Sequence, residues 1–396
     1  VKVAYFTPLN PVKTGIADYS EEMLPNLAQH IDLDIYIDQR IHPDNKEIIN
    51  KFKVIPYADT SFNPGAYDVI LYHMGNDYSA HAYIYRAMRK YPGIVVLHDY
   101  VLQGFYAEKF DADSDFDAYR SRLIKYYGKK GAEIANSIAR RDPHPIWESE
   151  KSLQYPLNEE IIEQATGVIV HSDFVRNRVE KITERPVTKI PHHGHVLKSF
   201  NRDVFRSELG LKSEDILIAS AGYINRNKRY KQILNALARI KDLSFTFAVA
   251  GKDRGKILDN CSPEDSPPLL NLGHLDLTRL EEFIHASDIC INLRYPTMGE
   301  SSGVLLRMMG YGRPVLVTDY GSYAEFPDYT VIKIPPGMYE EELIMRFVDA
   351  LIRDKDFRTS IGREAAAYVK EDCSIPKCAR EYAAFIQYIH AQGGTE

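Results

Sequence analysis

Short apolar runs rich in Val and Ile recur along the chain and alternate with stretches of helical spacing. In the first half the runs fall at Val1–Phe6, Leu33–Ile37, Phe52–Tyr57, Tyr67–Met74, Gly93–His98, Gly167–Ser172 and Val187–Pro191. Helix-length stretches such as Asp18–Gln29 and His81–Lys90 separate several of them. The second half repeats the scheme, with runs at Asp215–Gly222, Ser244–Gly251, Leu269–Leu275, Ile289–Leu293, Pro314–Asp319 and Tyr329–Ile334. Its helices fit Lys231–Ile240, Thr278–Ala286 and Ser302–Tyr311. Near-continuous apolar strands separated by helices predict parallel sheets covered on both faces. The pattern therefore predicts an α/β protein with two doubly wound halves. Pro and Gly in Ile190-Pro-His-His-Gly-His-Val196 break the pattern, which sets the halves at residues 1–196 and 197–375.

Two stretches stand outside this scheme. Residues 106–154 are charged, tyrosine-rich and mostly helical by spacing, and read as an insertion in the first half. Residues 376–396 hold a last helix, about Lys377 to Ala391, with apolar positions at Ala379, Tyr382, Ala383, Ile386 and Ile389. No strand is predicted after it.

Composition narrows the function. With 396 residues, 44% hydrophobic and 26% charged, the chain is neither largely disordered nor collagen-like. No apolar run approaches the ~20 residues that span a bilayer. A net charge of −6 supplies no overall electrostatic footprint for nucleic acid. The four cysteines are scattered and form no CxxC, and the first residues read directly as a strand with no signal peptide before it, so a reducing cytoplasm is expected.

Ligands of open parallel sheets bind beyond the carboxyl ends of the strands, and the unusual residues fall there. After the first strand, Gly15 and the start of the next helix can offer backbone N–H groups to an anion. The stretch is not GxGxxG, so the dinucleotide fingerprint is absent, and a plain strand-to-helix loop is the alternative. His98 ends its strand where it can hydrogen-bond a hydroxyl, and His73 ends a neighbouring one; a core histidine is the alternative. The loop Ala221–Lys231 carries Arg226, Lys228, Arg229 and Lys231. Such charge suits a diphosphate leaving group, while a solvated basic loop is the bland reading. In Leu293–Val304 a small-residue turn at Ser301, Ser302 and Gly303 opens a helix whose N-terminus favours phosphate. Glu300 stands at its mouth as an acceptor for sugar hydroxyls, or else as a helix cap. The acidic run Asp111, Asp113, Asp115 and Asp117 lacks the Gly and Glu of a calcium loop. His192, His193 and His195 have no second pair at zinc spacing, so no metal is expected.

Taken in order, these motifs resemble the retaining glycosyltransferases of family 4, which have the GT-B fold. The resemblance runs through Thr14–Ser20, His98-Asp99, Val168–Phe174, Gly222–Lys228, Gly273–Leu275, Ala286–Cys290, Gly299–Gly303 and Gly312–Asp319. It implies two Rossmann-like domains facing across a cleft, an acceptor side in the first, a donor side in the second, and a last helix crossing back to the first. It implies that Gly15 meets the donor diphosphate, that His98 touches the donor sugar and that Lys228 holds the diphosphate. Glu300 would contact the donor sugar, the backbone of Ser302, Gly303 and Val304 would bind phosphate, and His274 and Leu275 would face the base. Two positions depart from the family. Tyr223 replaces the arginine after the strand glycine, leaving Arg226 or Arg229 to supply its charge, and Arg229 is grouped with the donor-binding residues. The second glutamate, which holds the ribose, is replaced by Met308 or, counting back from Gly312, by Arg307. The implied activity moves a sugar from a nucleotide sugar to a glycan or lipid-linked sugar acceptor in polysaccharide or cell-envelope glycan biosynthesis. No metal or other cofactor is expected, and peripheral contact with the inner face of the membrane is. A nucleotide-sugar epimerase and a catalytically lapsed binding protein are the alternatives.

Overall fold

The computed structural model describes residues 1–142, 145–194, 197–253, 255–259 and 268–393. Every apolar run expected to be a strand forms one. In the first half these are β1 (Lys2–Phe6), β2 (Asp32–Asp38), β3 (Lys53–Tyr57), β4 (Val69–Met74), β5 (Gly93–Leu97), β6 (Ala165–Val170) and β7 (Val187–Lys189). The second half has β8 (Ile216–Ala221), β9 (Phe245–Ala250), β10 (Leu269–Gly273), β11 (Ile289–Asn292), β12 (Val315–Thr318) and β13 (Ile332–Ile334). They form a seven-stranded sheet ordered β3-β2-β1-β4-β5-β6-β7 and a six-stranded sheet ordered β10-β9-β8-β11-β12-β13. All the pairings are parallel. Strand order therefore reverses between β1 and β4 and between β8 and β11, the places where open sheets take ligands.

Two compact units follow. The first holds Val1–His193, Met298–Ser301 and the segment from Ile375 on; the second holds Gly194–Thr297 and Ser302–Ser374. In the first unit all six residues of β4 and all five of β5 are buried, as central strands covered on both faces require. The last helix, Ile375–Gly393, belongs to this unit. Its Ala379, Tyr382, Ala383, Ile386 and Ile389 lie in one apolar cluster with Val3, Met23 and Leu27. The Tyr19 and Tyr382 hydroxyls, 2.8 Å apart, satisfy each other inside that cluster.

The insertion is helical. Helix Gln103–Asp113 ends on Ser114 in the left-handed region (φ 55°). Asp115 then caps helix Phe116–Ala139 by accepting from the Ala118 N–H at 2.9 Å. At least this member of the acidic run is therefore a helix cap. Among the described residues no group of three or more His, Cys, Asp or Glu side chains is placed to hold a metal ion, and His195 lies outside them. Among the same residues no helix is long and apolar enough to cross a membrane.

Candidate active site

In the second unit β8 ends at Ala221, and Gly222 turns the chain with φ 102°. A β-carbon at Gly222 would approach Lys228 Nζ to 3.1 Å, so the glycine serves both the turn and the close lysine. Residues Arg226–Lys228 make one turn of 3₁₀ helix, which folds the lysine back over the strand end. Its amine donates to the Ala221 carbonyl at 2.9 Å, and the residue is 3% exposed. The Tyr295 N–H donates to the Asn227 carbonyl at 2.7 Å, tying the loop after β11 to the loop after β8 across the order reversal.

Arg229 is placed differently. It adopts φ 60° ahead of helix Tyr230–Ala238, and its guanidinium makes a two-pronged ion pair with Glu340, which is 1% exposed. The expected donor-binding arginine is thus engaged by a buried carboxylate, while Arg226 of the same loop is exposed.

Beyond β11, Ser302 caps helix Gly303–Gly310. Its Oγ accepts from the Leu305 N–H at 3.3 Å and from Asn292 Nδ2 at 3.1 Å. The amides of Gly303 and Val304 head that helix, where the backbone favours an anion. Because Ser302 is the cap, Glu300 is not. The Glu300 carboxylate accepts from the Met298 N–H at 2.6 Å and the residue is 6% exposed. Met298–Ser301 groups with the first unit. There the Met298 carbonyl accepts from the Val101 N–H at 2.9 Å. Gly299 has φ 76°, and a β-carbon on it would come within 2.6 Å of Tyr100 Cβ. Neither position considered for the second glutamate offers a carboxylate. Met308 is core, and Arg307 is buried against an equally buried Glu281 at 2.6 Å. His274 and Leu275 follow β10; His274 is exposed and Leu275 packs on the core of its unit.

In the first unit Gly15 is the first residue of helix Gly15–Leu27, capped by Thr14. A β-carbon there would meet nothing within 4 Å, so packing in the described chain does not demand glycine at this position. His98 lies one residue past β5, between two other histidines. Its Nε2 is 2.9 Å from His73 Nδ1, at the end of β4, and its Nδ1 is 3.2 Å from His171 Nε2, just past β6. His171 Nδ1 lies 2.9 Å from the Ile190 carbonyl, just past β7. Burial holds all three imidazoles well below the usual histidine pKa, His171 at about 4, with neighbouring histidines adding to the effect. Tyr19 packs its ring within 6 Å of all three and of His192 and His193. His193 Nε2 donates to the Tyr19 carbonyl at 3.0 Å, and His192 Nδ1 faces the His193 carbonyl at 2.9 Å. His171 was not singled out as a site residue from the sequence, although its place at a strand end is the same signal that marked His98.

Residues 215–353 match the family model described as glycosyl transferases group 1. The chain is a glycosyltransferase of the GT-B fold. Solved structures extend the likeness over its whole length. Sucrose-phosphate synthase from Thermosynechococcus elongatus is 15% identical, with a TM-score of 0.68 over 99% of both chains. Anabaena HepE, solved with UDP and glucose, is 14% identical, with a TM-score of 0.63 over 98% of this chain and 99% of its own. WaaG, a glycosyltransferase involved in lipopolysaccharide biosynthesis, is 15% identical, with a TM-score of 0.61 over 97% of this chain and 99% of its own. At these identities the likeness establishes the fold. No curated protein matches the chain.

Proposed function

We propose that this glycosyltransferase moves a sugar, with retention of anomeric configuration, from a nucleotide-sugar donor to a glycan or lipid-linked sugar acceptor. The observation that carries the reading is the meeting of two loops where β8 and β11 lie side by side. One brings the Lys228 amine over the end of β8, and the other, bonded to it through the Tyr295 N–H and the Asn227 carbonyl, leads into the Ser302-capped helix. A point charge and a helix N-terminus together suit a diphosphate. HepE, with the same fold, binds UDP and glucose, which supports a nucleotide-sugar donor here. As the bond to the sugar breaks, charge grows on the diphosphate, and preorganised donors stabilise it most at that point. Glu300, close to that helix in sequence, is assigned to the donor sugar, since a carboxylate repels phosphate and accepts from hydroxyls. The acceptor hydroxyl attacks the anomeric carbon from the face the diphosphate leaves, forming the new C–O bond as the bond to phosphate breaks, and the leaving phosphate takes the hydroxyl proton, so no protein nucleophile is assigned. No metal is assigned a role either, and membrane contact through a lipid-linked acceptor belongs to the same proposal.

The test is a transfer assay with a panel of nucleotide sugars and sugar acceptors, run on metal-stripped enzyme with and without EDTA. The product's anomeric configuration is read by NMR. Transfer with retention that survives chelation is the expected result. Activity abolished by chelation and restored by a divalent ion contradicts the metal-free reading, and inversion contradicts the retaining one.

A further inference from the structure

The contacts of His73, His98 and His171 form one line across the sheet. Four adjacent strands, β4 to β7, contribute one member each near their carboxyl ends: His73, His98, His171 and the Ile190 carbonyl. The direction of this line follows from its last member. A carbonyl only accepts, so His171 Nδ1 carries a hydrogen. In a neutral ring His171 Nε2 is then bare and accepts from His98 Nδ1–H. His98 Nε2 is bare in turn and accepts from His73 Nδ1–H. The line ends at His73 Nε2, which is buried and has no hydrogen-bond partner among the described residues. The opposite polarity would need a doubly protonated His171, a charge held in a largely buried site.

We infer that His73 and His171 are positioning residues that hold the His98 ring before the sugar binds, His171 keeping it as the neutral Nδ1–H tautomer and His73 occupying the Nε2 that a sugar hydroxyl then takes. This rests on the proposal that His98 meets the donor sugar. It adds the sense of that contact. With Nδ1–H committed to His171, a sugar hydroxyl can only donate to His98 Nε2, taking the place of His73 Nδ1–H, and the ring cannot donate to the sugar. His98 is thereby an acceptor with its geometry set before the substrate arrives.

Two measurements on the full chain test this. The first is a long-range ¹H–¹⁵N spectrum of the ¹⁵N-histidine-labelled protein near pH 7.5, assigned with single His→Gln variants. His73, His98 and His171 are expected as Nδ1–H tautomers, and His98 as the Nε2–H tautomer overturns the inference. The second compares His171→Phe, which fills the space but cannot accept, with His171→Gln, whose amide oxygen can accept from His98 Nδ1–H. His171→Phe is expected to lower kcat roughly tenfold, the scale of one lost hydrogen bond, with KM for the donor little changed and His171→Gln restoring most of it. Equal losses in the two variants overturn the positioning role. The spectrum decides the tautomers even where a variant folds poorly. Wild-type enzyme with the expected spectrum but no sugar transfer overturns the proposed function, and with it the role at the sugar, while leaving the tautomer assignment standing.

Discussion

Glu300 stands two residues ahead of Ser302, the cap of helix Gly303–Gly310. As a cap it would have accepted from an amide of helix Gly303–Gly310, but Ser302 takes that role. Glu300 instead bonds the Met298 N–H from a segment that groups with the first unit. The donor sugar is the partner proposed for it above. Glu300→Gln is expected to lower turnover by at least tenfold while leaving the affinity for free nucleoside diphosphate within about twofold, because the free diphosphate lacks the sugar. Kinetics and titration on the same variant check this, with near-normal turnover as the contrary result. The cations of the β8 loop stand out in the sequence because they follow an apolar run at short range. The partners of Arg229 and Arg307 do not, since Glu340 and Glu281 lie 111 and 26 residues away and nothing local marks them.

At the scale of elements, the strands were readable because central parallel strands are buried on both faces and so appear as unbroken apolar runs. The last helix was readable for the equivalent reason, a single apolar stripe at helical spacing. What spacing could not show is which strand ends become neighbours. The placing of His73, His98 and His171 beside one another depends on the sheet order β4-β5-β6, and the grouping of Met298–Ser301 with the first unit depends on Gly299 fitting against Tyr100. The strand ends carry a consequence for stability. The three histidines have folded-state pKa values below the ordinary value of 6.5, so the unfolded chain binds more protons than the folded one in acid. Their contribution is intact above about pH 6.5 and is lost as pH falls toward 4. Thermal unfolding followed from pH 7.5 to 4.5 should show Tm dropping across this window. A His73→Gln/His98→Gln/His171→Gln variant should show a shallower drop, and an equal slope in the two proteins would contradict the assignment.

For the whole molecule, the family model covers residues 215–353, which lie in the second unit apart from Met298–Ser301, while the likeness of fold runs over 97–99% of the chain. The second unit is thus the better-marked half. The β8 and β11 loops are proposed to hold a nucleoside diphosphate through Lys228. Calorimetric titration of UDP, GDP and ADP into wild type, Lys228→Ala and Lys231→Ala tests it most directly. Lys231 is the control because it stands within helix Tyr230–Ala238, past the turn that carries Lys228. At least one of the three diphosphates should bind wild type, and Lys228→Ala should weaken it about tenfold to a hundredfold, the equivalent of a lost charge-assisted hydrogen bond. Lys231→Ala should stay close to wild type. Superimposable curves for wild type and Lys228→Ala, or no binding of any nucleoside diphosphate, would contradict it.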